Sequence, residues 1–187
     1  MSNTVRLLTI ATLSLLLFTC EKEALEPQIT SIDISTAKAP PLAKQQPQGA
    51  TQIDGIGFFA EESDCDLAAE GADYALLLTG DLEGCLYVFV EDFDCSPSGT
   101  YRESGQEYFV GTYNGSSGTF WTDYKFSSKY EGCSEEGFFL GAEIFGRCQH
   151  PIVRGSGTGV FEGVNGRLDF KDDVAAGNFP YRGHLRY

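Results

Sequence analysis

Basic residues are scarce in this chain: 13 Lys and Arg stand against 27 Asp and Glu, a formal net charge of −14 over 187 residues. From Gln52 onward the balance is nine against 23. A field of that sign disfavours nucleic acid and anionic lipid surfaces as partners, since both attract basic patches. Methionine is missing after Met1, which removes the flexible thioethers that promiscuous binding surfaces use. Histidine occurs only as His150 and His184. With no Cys-x-x-Cys and no His-x-x-x-His spacing, neither a metal site nor a cofactor is expected. Long apolar runs are absent too. The apolar stretch near the start, Leu7 to Phe18, carries no charge but falls short of the ~20 residues of a spanning helix.

That stretch comes after Arg6 and suits the apolar region of an export signal. It ends in Leu17-Phe18-Thr19-Cys20, which resembles a bacterial lipobox, with Cys20 as the lipidated new N-terminus. Glu21-Lys22-Glu23 is similar to the surface-export signal of Bacteroidetes-type lipoproteins. Residues 1–19 are thus read as a lipoprotein signal peptide. Residues 20–49, without aromatics and rich in Pro, Gln and Ala near their end, are read as a lipidated N-terminus and disordered tether. Residues 50–187 form one domain by size. The expected location is the cell envelope, lipid-anchored at the outer membrane, facing the periplasm or the surface.

Within that domain, period-two patterns recur and no window of about a dozen residues has a helical stripe. In GTFWTDYKFSSKY, Phe120, Thr122, Tyr124, Phe126, Ser128 and Tyr130 share one face, with Trp121, Asp123, Lys125, Ser127 and Lys129 on the other. Strands are also read at 72–79, 85–92, 107–113, 138–148 and 181–187. Turn chemistry separates them at Gly80-Asp81, Ser96-Pro97-Ser98-Gly99, Asn114-Gly115 and Glu136-Gly137. Segment 61–71 has room for one short helical turn. About eight antiparallel strands point to an all-β domain, a single closed barrel without sticky edges, with a β-sandwich as the alternative.

The Gly-rich stretch RGSGTGVFEGVNGRLDF raises the question of a phosphate cradle. It lacks the lysine of a Walker loop, and the sixth position counted from Gly157 is Glu162. Residues 167–172, RLDFKD, alternate like a strand where a phosphate cradle needs a helix. The reading is instead a hairpin turning at Asn165-Gly166. That register sets Phe161 opposite Phe170, with both rings buried. It also sets Glu162 opposite Asp169, an unfavourable like-charge pair that the diagonal Arg167 and Lys171 would screen, with a bound cation as the alternative. The stretch resembles the Gly-x-Gly-x-Phe-x-Gly-x-x-Gly segment of the allene oxide cyclase and dirigent superfamily, matched by Gly157, Gly159, Phe161, Gly163 and Gly166. That resemblance implies an eight-stranded antiparallel barrel with an apolar cavity. No counterpart of the cyclases' catalytic residues stands at 52–75, so cyclase chemistry is not implied.

Setting aside Cys20 leaves Cys65, Cys85, Cys95, Cys133 and Cys148, an odd number in an export context that favours disulfides. If 85–95 is one strand, its ends lie ~33 Å apart and cannot be bridged. A hairpin near Leu82 would bring Cys95 toward residue 69, so Cys65–Cys95 is the favoured pair and the others stay unassigned. Cys148 and His150 share a face at ~6 to 7 Å, too far for direct proton transfer; His150 is read as a rim residue before Pro151. His184 is read as outward with Arg182 and Arg186. Tyr74, Phe120, Tyr124, Phe126, Phe161 and Phe170 are the candidate ligand-lining residues, although small barrels usually fill their interiors. No catalytic residue is assigned.

Three functions are compatible with these features. The first is a non-enzymatic, membrane-anchored barrel that binds a small apolar ligand or a protein partner. The second is an isomerase or cyclase acting on an apolar substrate in the cavity. The third is a structural envelope interaction module using its acidic exterior and the Trp121 face.

Overall fold

In a computed structural model, residues 49–187 are described. The signal peptide, Cys20 and nearly all of the proposed tether lie outside them. Nine strands run in order: β1 (Thr51–Phe59), β2 (Tyr74–Gly80), β3 (Leu82–Cys95), β4 (Thr100–Tyr113), β5 (Ser116–Cys133), β6 (Phe139–Pro151), β7 (Thr158–Gly159), β8 (Asn165–Lys171) and β9 (Phe179–Arg186). A single helical turn, α1 (Leu67–Glu70), stands between β1 and β2.

Each barrel strand pairs antiparallel with two neighbours, in the cyclic order β1-β2-β3-β4-β5-β6-β8-β9, and β9 returns to β1 from Thr51↔Leu185 to Gly57↔Phe179. The sheet is a closed eight-stranded antiparallel barrel, with the short β7 lying outside it against β5. Closure leaves no ladder edge free among these eight. Local chemistry sets the hairpins. Asn114 and Gly115 adopt φ of 51° and 73°, the two positive values that a tight turn between β4 and β5 requires.

The long β5 alternates as its sequence predicts. Phe120, Thr122, Tyr124 and Ser128 are buried, and the intervening Asp123, Lys125 and Glu131 are exposed. Trp121 is partly buried, stacked on Tyr108 at 4.7 Å and tilted against Phe89 at 5.6 Å. His184 does face outward between exposed Arg182 and Arg186.

The Gly-rich segment departs from the predicted hairpin. β8 pairs with β6 (His150↔Leu168) and β9 (Arg167↔His184), never with residues 157–164. Those residues turn repeatedly instead, with Phe161 N–H donating to Thr158 O at 3.0 Å and Val164 N–H to Phe161 O at 3.0 Å. Gly155, Gly159 and Gly163 carry φ of 78°, 58° and 76°, which side chains oppose and glycine accepts. Glu162 therefore never meets Asp169, which is ion-paired with Arg167 at 2.8 Å on the surface. The segment closes one end of the barrel. Phe161 (0 % exposed) sits edge-on to Phe120 at 5.0 Å and to Phe109 at 5.7 Å, and Val164 is buried beside it. Leu78, Leu82, Leu86, Leu168 and Leu185 fill the same half.

The disulfides differ from the favoured pair: Cys65 bonds Cys85 and Cys95 bonds Cys133, leaving Cys148 as a buried free thiol. The β2–β3 ladder ends at Tyr74↔Val88, well short of Cys95, so no strand neighbour carries Cys65 there. The β1–β2 connection folds back over the outer face instead, where Cys65 joins Ala75 and Tyr87 in a small second core. Cys95, at the end of β3, ties across to the end of β5.

Candidate functional site

The other half of the barrel is not filled, contrary to the expected packed interior. It holds a cavity of about 660 Å³, lined by the ends of β1, β2, β3, β4, β5, β6 and β9, by β8 and by the β8–β9 connection. Of the candidate lining residues, Tyr74, Tyr124, Phe126 and Phe170 face this space, whereas Phe120 and Phe161 belong to the packed half. Phe59 and Phe139, 64 % and 48 % exposed, stand at its rim.

Alternation along β4 puts Tyr101, Glu103, Gly105, Glu107 and Phe109 on the inner face, so this strand brings two carboxylates into the chamber. Glu103 is held by three phenols. Tyr74 and Tyr124 donate to its Oε1 at 3.1 and 2.8 Å, and Tyr101 donates to Oε2 at 2.6 Å. Burial, together with the neighbouring Glu103 carboxylate, pushes all three phenols above their usual range, so they remain protonated donors. Gly105 makes this geometry possible: a Cβ there would lie 2.0 Å from Phe89 O and 3.0 Å from the Tyr124 ring.

Glu107, 2 % exposed, accepts from Thr122 Oγ1 at 2.6 Å and from Nδ1 of His150 on the same Oε2. His150 is also 2 % exposed, so it is a wall residue of the chamber and not the rim residue expected. Its ring lies 4.5 Å from Phe170 and 6.1 Å from Tyr124. Its Nε2 is buried without a partner. In the neutral tautomer that directs its Nδ1 hydrogen at Glu107, Nε2 carries the lone pair.

Cys148 faces the same chamber. Burial, then the Glu107, Asp172 and Glu103 carboxylates, push its thiol up, so it is no ready nucleophile. Toward the mouth, Glu143 and Asp172 converge over Gly146, where a Cβ would meet an oxygen of each within 2.3 Å. Burial and the contact with Asp172 raise Glu143 to about 7, and burial raises Asp172 as well. Among the described residues no group of three or more His, Cys, Asp and Glu is arranged to hold a metal.

Glu103, Glu107, Glu143 and Asp172 do not stand out in the sequence. The available signal is the period-two register of β4, which carries Phe109 inward and with it Glu107 and Glu103. No family model, curated protein or solved structure matches the chain.

Proposed function

We propose that the domain is a receptor or carrier for a small, largely apolar molecule that enters the open half of the barrel, held at the cell envelope by a lipid on Cys20. The observation that carries this reading is the chamber of about 660 Å³, a size typical of small-molecule sites, beside a half of the same barrel that is packed solid. Its walls are mostly apolar and rich in aromatic rings, with fixed polar groups at depth, the usual division between affinity and orientation. The barrel and its cavity are also what the resemblance to the allene oxide cyclase and dirigent superfamily implies.

The test is titration of the full-length chain with the neutral dye N-phenyl-1-naphthylamine, read by its fluorescence gain in an apolar site. Saturable binding near one dye per chain is expected, and Cys148→Trp, which fills the chamber, should abolish it. No saturable binding, or binding indifferent to that substitution, overturns the reading.

A second reading, an isomerase, has one specific observation in its favour: a buried carboxylate orients an imidazole whose other nitrogen, without a partner, lines the chamber. Nε2 would take a proton from carbon beside a carbonyl and return it to that or an allylic carbon, with no net redox change. Solvent deuterium entering 1-tetralone, lost in His150→Ala, would support it. No exchange above background would remove it.

A further inference from the structure

Hydrogen-bond bookkeeping in the chamber is one-sided. Its lining includes Glu103, Glu107, Glu143 and Asp172 and no lysine or arginine. Two buried polar atoms of the lining lack partners: Nε2 of His150 and Oδ1 of Asn178. In the neutral His150 tautomer that gives its Nδ1 hydrogen to Glu107, both accept. Three of the four lining phenols, Tyr74, Tyr101 and Tyr124, spend their hydrogen on Glu103. A guest that brings donors therefore meets the orphaned atoms, and the lining carboxylates make positive charge the favoured sign. A carboxylate guest would meet like charge.

We infer that the guest is a protonated organic amine with an apolar, ring-sized body, its ammonium head donating to Nε2 of His150. This rests on the cavity-binding reading and goes further by naming the ligand class. An ammonium carries several N–H donors, and a hydroxyl has one. The surroundings of His150 suit a cation, since the Phe170 and Tyr124 rings flank it and aromatic faces attract cations. Glu107 beneath it supplies the countercharge without leaving its own bonds.

Four probes that share one body decide the matter by isothermal titration of the full-length chain at neutral pH. They are 1-naphthylmethylamine, 1-naphthylmethanol, 1-naphthoic acid and the N,N,N-trimethyl derivative of the amine. The amine is expected to bind at least about tenfold tighter than the alcohol and the trimethyl cation, since one charge-assisted bond is worth about that much. The acid should give no measurable heat. In the ¹⁵N spectrum the unprotonated Nε2 resonance of His150 should shift on adding the amine, and His150→Gln should lower amine affinity about tenfold. If no probe binds, the cavity reading falls and this inference with it. If the alcohol or the acid matches the amine, the cavity reading stands and the amine is refuted. If the trimethyl cation matches it, or the Nε2 resonance does not move, donation to His150 is refuted.

Discussion

Replacing Phe161 by alanine separates the packed end of the barrel from the open one. The side chain is fully buried, and its ring lies 5.0 Å from Phe120, 5.7 Å from Phe109 and 6.3 Å from Tyr113. Gly118, whose Cβ would stand 2.8 Å from that ring, leaves a slot that only the aromatic fills, and the stacked Phe109–Phe120 pair cannot close over the gap without breaking its own contact at 4.9 Å. Truncation should therefore cost about 3–5 kcal/mol, the range for buried aromatics. For a domain of this size that is a fall in Tm of roughly 10–20 °C. Thermal and urea unfolding followed by circular dichroism measure it, with dye binding below the transition as the control. Affinity for the dye should change by less than about twofold, because Phe161 does not line the chamber. A loss under about 1 kcal/mol, or lost binding in a domain that keeps its Tm, would refute the division into a packed and an open half.

Two further outcomes are expected. Breaking the Cys95–Cys133 bond by a paired change to alanine should destabilise more than breaking Cys65–Cys85, because their separations are 38 and 20 residues and loop entropy gives roughly 4 against roughly 3 kcal/mol; denaturant midpoints of the two double variants check the order. Glu143, raised to about 7, holds its proton more tightly folded than unfolded. Its contribution is therefore fully present below the ordinary carboxylate range and is lost as pH rises toward 7. Because the group is partly solvated, the loss is only about 1 kcal/mol after screening. Urea midpoints at pH 4.5 and 8 should show that fall in the parent, and Glu143→Gln should lose most of it.

Strand positions are legible where side chains alternate and turns carry their own chemistry: β5 and the Asn114-Gly115 turn arise directly from local residues. Asn165-Gly166 has the same local preference, yet it opens β8, because pairing there is decided elsewhere. His150 and Arg182 supply the partners of Leu168 and Asp169. The glycines upstream offer no side chains to hold a strand. β1 escapes a sequence reading for a similar reason: Gly55 and Gly57 interrupt its pattern, and a Cβ at Gly55 would lie 2.4 Å from the Tyr181 hydroxyl, a contact visible only once β9 is in place. The site is harder still. A carboxylate in an alternating strand reads as solvent-facing, and only closure of the barrel sets Glu107 against Thr122 and His150.

The same polar residues account for a chamber persisting in a barrel of eight strands, whose interior side chains ordinarily meet and fill. In the packed half the inward residues are Leu78, Leu82, Leu86, Phe109, Phe120 and Leu168, free to move toward the axis until they touch. In the open half the inward rings are not free. Tyr74 comes from β2, Tyr101 from β4 and Tyr124 from β5, and each is tied by its hydroxyl to one carboxylate on β4. Collapse across the axis would break those bonds and leave Glu103 buried with its charge unmet, a penalty of several kcal/mol that packing a few methylenes does not offset. Glu107 pins His150 to the wall in the same way. The polar groups that make the chamber selective thus also hold it open, and Glu103 acts as the spacer that keeps three aromatic rings at the wall.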